Sequence, residues 1–242
     1  MAMSDQSIKV LTNDKALADE AARRFVELAG QAIALTGKFN VALAGGSTPK
    51  AMYRLLAMDP LRGQVQWENV EIFFGDERCV PPNHPDSNFR MASETLLSLV
   101  PIPRQSIHRM RGEIDPNEAA REYGQLLKEK FGDGGLDLCL LGMGDDGHTA
   151  SLFPGTTALL ESKHRCVANY VEKLKAWRIT LTAPFINRSR EVMVLISGGS
   201  KAKRLHEVLE GPRDMLRLPI QLIDPAHGKL TWLVDVPAAG MM

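Results

Sequence analysis

An open α/β sheet of mostly parallel strands is the fold class this sequence predicts, and three observations predict it. Short, near-continuous apolar runs such as Val70-Glu71-Ile72-Phe73-Phe74 and Val192-Met193-Val194-Leu195-Ile196 suit strands covered on both faces. Amphipathic stretches with helical spacing separate them, the alternation expected of right-handed crossovers. Four of the runs end in glycine-bearing loops that hold unusual polar residues, at the strand ends where open α/β sheets bind ligands.

The elements follow in chain order. Asp14 to Leu35 places Leu17, Ala21, Phe25, Leu28, Ala32 and Ile33 on one stripe, with Asn13 as a cap. Val41-Ala42-Leu43-Ala44 is a strand ending in Gly45-Gly46, and Pro49 opens a short helix carrying Met52, Leu55 and Leu56. The Val70–Phe74 run ends in Gly75-Asp76-Glu77-Arg78, followed by a Pro/Asn-rich surface loop from Pro81 to Pro85. Asp115-Pro116-Asn117-Glu118 is a strong helix start: a capping Asp, Pro at the first helical position, and Glu three residues after the cap. Ala119, Tyr123, Leu126 and Leu127 supply that helix's buried face. Leu136 to Leu141 runs into Gly142-Met143-Gly144, Cys166 to Val171 and Arg178 to Thr182 are strand-like, and Leu230 to Val234 closes the series. No repeat, low-complexity tract or linker interrupts the chain, so one domain over 1–242 is expected.

Composition narrows the function classes. The 242 residues carry 29 Lys+Arg against 29 Asp+Glu, a formal charge of zero, which removes the long-range field of a general nucleic-acid or anionic-membrane binder. It leaves room for a small phosphorylated ligand held by a few local cations, as a monomer or small homo-oligomer. Hydrophobic content of 44% and charged content of 24% suit a globular fold, not a disordered chain. Three scattered cysteines exclude a disulfide framework or zinc ribbon, and Cys139 reads as a small buried hydrophobe. No stretch has signal-peptide character and no apolar run approaches the ~20 residues of a membrane span, so a reducing cytoplasm is expected.

The chemistry is concentrated in the glycine-bearing loops. In Gly45-Gly46-Ser47-Thr48, glycines admit a ligand close to the backbone and the following helix aims free N–H groups at it. The loop is neither a Walker nor a Rossmann motif, and taken alone it reads equally as a tight turn with a Ser or Thr cap. Asp76, Glu77 and Arg78 directly after a buried strand must lie at its mouth, where Arg78 can bind an anion or polarise a carbonyl oxygen, or simply form a surface ion pair. Gly142 to Pro154 is the most specific segment. His148, flanked by glycine and small residues with Asp145 and Asp146 just before it, is poorly explained as packing. A neutral imidazole can take a proton from water near pH 7, and Asp146 can fix its tautomer.

Arg178, opening a strand, and Lys201, in Gly198-Gly199-Ser200-Lys201-Ala202, are individually ordinary surface cations. With the Gly45–Thr48 loop at the same sheet edge, a phosphate pocket becomes the better explanation. No metal or other cofactor is expected, because His148 has no second histidine at ligand spacing and His108, His164, His206 and His227 stand apart. Cys79 follows Arg78, but nothing else in the sequence suggests a covalent nucleophile.

Together these segments, in this order, resemble the 6-phosphogluconolactonase branch of the glucosamine-6-phosphate isomerase/6-phosphogluconolactonase family over essentially the whole chain. The motifs are Ala44-Gly45-Gly46-Ser47-Thr48-Pro49, Gly75 to Arg78 with Ser87-Asn88, Gly142 to Pro154, Arg178 to Thr182 and Gly198 to Ala202. The resemblance implies a Rossmann-like three-layer α/β/α sandwich. It implies hydrolysis of 6-phospho-D-glucono-1,5-lactone, the second step of the oxidative pentose phosphate pathway. It also implies substrate contacts for Asp76 and Asn88 beside Gly45, Gly46, Ser47, Thr48, Arg178 and Lys201, with His148, Asp146 and Arg78 catalytic. Where the family usually carries a Lys-Pro-Pro-type segment, this chain reads Lys173-Leu174-Lys175-Ala176-Trp177. The amino-sugar phosphate deaminases of the same family continue past their histidine with Ala-Phe-Asn-Glu and use that acid. Here the stretch is Ala150-Ser151-Leu152-Phe153, without a carboxylate, which favours hydrolysis over isomerase or deaminase chemistry or a non-catalytic sugar-phosphate sensor.

Overall fold

The computed structural model describes residues 5–242; Met1 to Ser4, part of the N-terminal stretch read above for a leader, lie outside them. Six parallel strands form the central sheet: β1 (Asp5–Leu11), β2 (Phe39–Leu43), β3 (Val70–Phe74), β5 (Leu138–Gly142), β8 (Glu191–Ile196) and β9 (Lys229–Asp235), in the order β1-β9-β8-β5-β2-β3. A second, antiparallel sheet has the order β4-β7-β6, from β4 (Asp76–Arg78), β6 (Cys166–Val171) and β7 (Ala176–Leu181).

Period-two alternation splits the strand side chains between two cores. Val70, Ile72 and Phe74 of β3, Leu138 and Leu140 of β5, and Met193 and Leu195 of β8 pack with α1 (Asp14–Thr36) and α2 (Ser47–Leu56). Phe73, Cys139, Leu141, Val192, Val194 and Ile196 face the other way, onto α4 (Pro116–Phe131), α5 (Ala183–Ile186) and α6 (Ala202–Leu209). The three-layer sandwich follows from that division. Ile179, Leu181 and Cys166 of the small sheet join the second core, so the antiparallel strands are part of that layer.

The helix boundaries are set by local chemistry. Asn13 accepts from the Ala16 amide to cap α1, which ends on Gly37 in the left-handed region at φ 79°. Asp115 accepts from the Asn117 and Glu118 amides and caps α4, with Pro116 in its first turn.

Three sequence expectations are corrected. β1 was not anticipated, because this edge strand leaves residues 6–10 exposed and its apolar residues are only Ile8, Val10 and Leu11, too few for a near-continuous buried run. Asp76–Arg78, read as a loop, is a short strand, since Asp76 pairs with Thr180 and Arg78 with Arg178. α2 begins at Ser47, two residues before Pro49. The strand order reverses direction between β2 and β5, the position at which open α/β sheets form a ligand crevice.

Candidate active site

Loops from the carboxyl ends of β2, β3, β5 and β8 enclose a cavity of about 260 Å³ at that crevice, large enough for one sugar ring. One wall is the start of α2. Gly46 is its N-cap, at φ 106°, and makes no side-chain capping bond. The amides of Ser47 and Thr48 in the first turn therefore lack helical partners, as at any helix start, and both residues line the cavity. Buried Tyr53 of α2 fixes the approach: its hydroxyl accepts from the Ala44 amide at 3.0 Å and donates to the Ala44 carbonyl at 2.9 Å. Lys201 lines the same cavity, with Nζ 2.5 Å from Asp145 Oδ1. Its loop is held by buried Asp235, which accepts from the Ser197 hydroxyl at 2.6 Å and from the Gly198 amide.

His148 lines the same cavity. Its Nδ1 is 2.6 Å from Asp146 Oδ1. A carboxylate can only accept, so Nδ1 carries a proton, and in the neutral ring that tautomer leaves the lone pair on Nε2. The His148 amide donates to the same oxygen at 3.2 Å, and Lys173 Nζ donates to Asp146 Oδ2 at 2.9 Å. The His148 hydrogen bond, with Lys173 adding to it against the effect of burial, holds the Asp146 carboxyl well below the usual carboxylate range. The imidazole stacks on Phe153, with ring centroids 4.0 Å apart and planes 22° from parallel. Gly144 is required by this packing: a Cβ there would lie 2.0 Å from His148 Nδ1. Gly147 (φ 82°) and Ala150 (φ 47°) both take left-handed backbone in this loop, and for Ala150 that conformation is strained.

Asp76 and Arg78 line the cavity on the side of the small sheet. Asp76 is fully engaged, accepting from Ser151 Oγ at 2.6 Å and from Asn88 Nδ2 at 3.1 Å. Asn88 lies behind the wall as a buried support and is not among the cavity-lining residues; it also donates to the Asp76 carbonyl, and its side chain occupies the space a Cβ on Gly45 would fill. Glu77, buried next to it, accepts from the Arg78, Asn88 and Phe89 amides and the Ser87 hydroxyl. Burial pushes the Glu77 carboxyl up while those donors oppose the rise.

Arg178 is placed differently from Lys201. Across the strand pair from Arg78, it lines an adjoining groove that Arg78 shares with the cavity. Neither guanidinium is hydrogen-bonded to a carboxylate among the described residues: Arg78 donates to the Asp86 carbonyl and Arg178 to the Trp177 carbonyl. Burial, and then the Arg78 charge, lower the Arg178 pKa from its ordinary value. Cys79 opens on this groove with its thiol pushed up to about 11 by burial, so it remains protonated at neutral pH.

Residues 12–232 match the family described as glucosamine-6-phosphate isomerases/6-phosphogluconolactonase. The chain belongs to this family. It is 40% identical to a 6-phosphogluconolactonase of Synechocystis sp. over 96% of both chains, and 38% identical to one from Nostoc sp. over 96% of this chain and 97% of that one. The solved structure of 6-phosphogluconolactonase from Trypanosoma brucei superposes with a TM-score of 0.86 at 29% identity, covering 98% of each chain. A monomeric glucosamine-6-phosphate deaminase shares the fold at a TM-score of 0.84 and 23% identity, covering 98% of this chain and all of that one. Within this family fold, sequence reasoning did not assign roles to Glu77, Ser151, Phe153, Lys173 or Asp235. Position was the available signal: Asp235 ends β9, and Glu77 follows the carboxyl end of β3 by three residues.

Proposed function

We propose that this protein hydrolyses 6-phospho-D-glucono-1,5-lactone to 6-phospho-D-gluconate in the pentose phosphate pathway, using His148 as general base. One observation carries the reading. An imidazole with Nδ1 committed to Asp146 and Nε2 free lines the same small cavity as an uncapped helix start and Lys201. In this scheme the Gly45–Thr48 backbone and Lys201 hold the 6-phosphate, with Arg178 drawn in from the adjoining groove. His148 Nε2 takes a proton from water as the oxygen attacks the lactone carbonyl, and Asp146 stabilises the imidazolium. Arg78 offsets the oxyanion charge. Collapse of the tetrahedral intermediate breaks the bond to the ring oxygen, which receives the proton back from His148.

Phe153 favours hydrolysis over the deaminase alternative, because it stands where the deaminases carry their acid and presents a phenyl ring to His148. The test follows freshly generated lactone with wild type and His148→Ala, with EDTA present, alongside ammonia release from glucosamine 6-phosphate. Loss of the base is expected to lower kcat/KM by roughly 10²–10⁴-fold, with EDTA without effect and no ammonia formed. Full activity in the variant would falsify the assignment.

A further inference from the structure

Lys173 is at the tip of the β6–β7 hairpin, in a single turn that Val171 and Ala176 close by pairing. The turn is set by its own backbone: the Lys175 amide donates to the Glu172 carbonyl at 3.0 Å, and Lys175 takes left-handed backbone at φ 48°. None of this involves the Lys173 ammonium. That group is 70% exposed and makes its one described bond to Asp146 Oδ2, while His148 occupies Oδ1. Two donors, an imidazole and an ammonium, therefore share one carboxylate through different oxygens.

A carboxylate at 2.6 Å orients the imidazole, but alone it also stabilises the imidazolium, which is useless as a base. We propose that Lys173 is a positioning residue for the base: by holding the second oxygen of Asp146 it keeps the orienting bond while offsetting the carboxylate's charge, so that His148 stays neutral further toward acid pH. The proposal rests on the reading of His148 as general base. The other charges facing this loop are Asp76 and Arg78 from the small sheet, Lys201 paired with Asp145, and Arg204, which donates to the Asp145 carbonyl. All of them persist when Lys173 is changed, so a difference reports Lys173 alone.

The experiment measures the His148 ring titration by NMR on the full chain, with the signal assigned by its loss in His148→Ala. It sets that titration beside the pH profile of kcat/KM in wild type, Lys173→Met and Lys173→Arg. In Lys173→Met the ring midpoint and the acid limb are both expected to rise by about 0.5 pH unit, a modest shift because water screens the exposed ammonium. On the acid side that is roughly a threefold loss of activity. Lys173→Arg is expected to return both to wild type, and high salt to shrink the difference. An unmoved midpoint in Lys173→Met overturns the proposal, as does a raised KM with an unmoved limb, which would make Lys173 a substrate contact. Full activity in His148→Ala sinks the base reading itself, and the proposal with it, whatever the midpoint does.

Discussion

Two carboxylate–histidine pairs of the same 2.6 Å length occupy opposite ends of the central sheet. At the carboxyl edge, Asp146 holds His148, which stacks on Phe153, and Lys173 takes the carboxylate's other oxygen. At the amino edge, Glu71 holds His108, which stacks on Phe73 with centroids 4.8 Å apart, and Lys38 and Lys130 bind the same carboxylate at 2.6 and 3.0 Å. The parts are the same, so the parts do not make a catalyst. His148 opens onto a cavity that also holds a helix start and Lys201, whereas Glu71 and His108 tie β3 to α4 and to the strand-like segment after α3 (Asn88–Ala92). In the proposed scheme, placement at the edge where open α/β sheets bind ligands separates the pair assigned to catalysis from a structural one.

The largest expected effect breaks the symmetry between the pairs. Gly144→Ala drives a methyl group into the space of His148 Nδ1 and displaces the proposed base from Asp146. Activity is expected to fall by about 10²-fold, as for a misplaced catalytic group, while the protein still folds. His108→Ala should do the reverse, leaving kcat/KM at the wild-type value and lowering the urea midpoint. A His108→Ala enzyme with intact stability and lost activity would show that the amino-edge pair matters to the site after all.

Next comes the amino-edge carboxylate itself. Glu71→Gln keeps the shape and removes the charge that Lys38, His108 and Lys130 share. The expected loss is about 1–3 kcal/mol, less than for a sealed ion pair because both lysines reach water. The pH dependence has a definite sign. Burial alone would raise the Glu71 carboxyl, but hydrogen bonds from Lys38, His108 and Lys130 outweigh it and bring it from 4.5 to about 2. The folded state thus binds its proton later than the unfolded one. Glu71's contribution is fully present above about pH 4.5 and disappears as the pH falls through about 2. Urea melts of wild type and Glu71→Gln should accordingly converge at the acid end of that window. Curves that stay parallel down to pH 2 would remove Glu71 from the account of acid unfolding.

The same contrast explains what the sequence could reveal. The geometry of the candidate site was legible because its pieces are local: Asp146 is two residues from His148 and the glycines mark the loops, just as Asn13 and Asp115 cap their helices as their spacing suggests. Glu71 and His108 are 37 positions apart, so the histidine looked isolated until β3 and the segment after α3 were brought together. Of the small sheet, β6 and β7 were legible as strands, while β4 was hidden for the same reason. Three charged residues, Asp76 to Arg78, become a strand only through pairing with β7, and no local pattern records a partner 100 residues away. The place of Arg178 beside Arg78 at the adjoining groove depends on that pairing, and the Lys173 contact with Asp146 joins residues 27 positions apart.

The smallest effect concerns the turn that carries Lys173. Lys175 holds φ 48° without being glycine, a conformation that disfavours a side chain. Lys175→Gly relieves the strain but gives the unfolded chain more freedom, so the two terms oppose and the net stability change is expected within about 1 kcal/mol. The informative readout is therefore the His148 titration, not the melt. If Lys173 acts through Asp146 from a turn that any residue at 175 can close, the His148 midpoint in Lys175→Gly stays at its wild-type value while that in Lys173→Met moves. A midpoint that moves equally in both variants would mean that the hairpin's shape, and not the Lys173 charge, distinguishes the carboxyl-edge pair from its counterpart at the other end of the sheet.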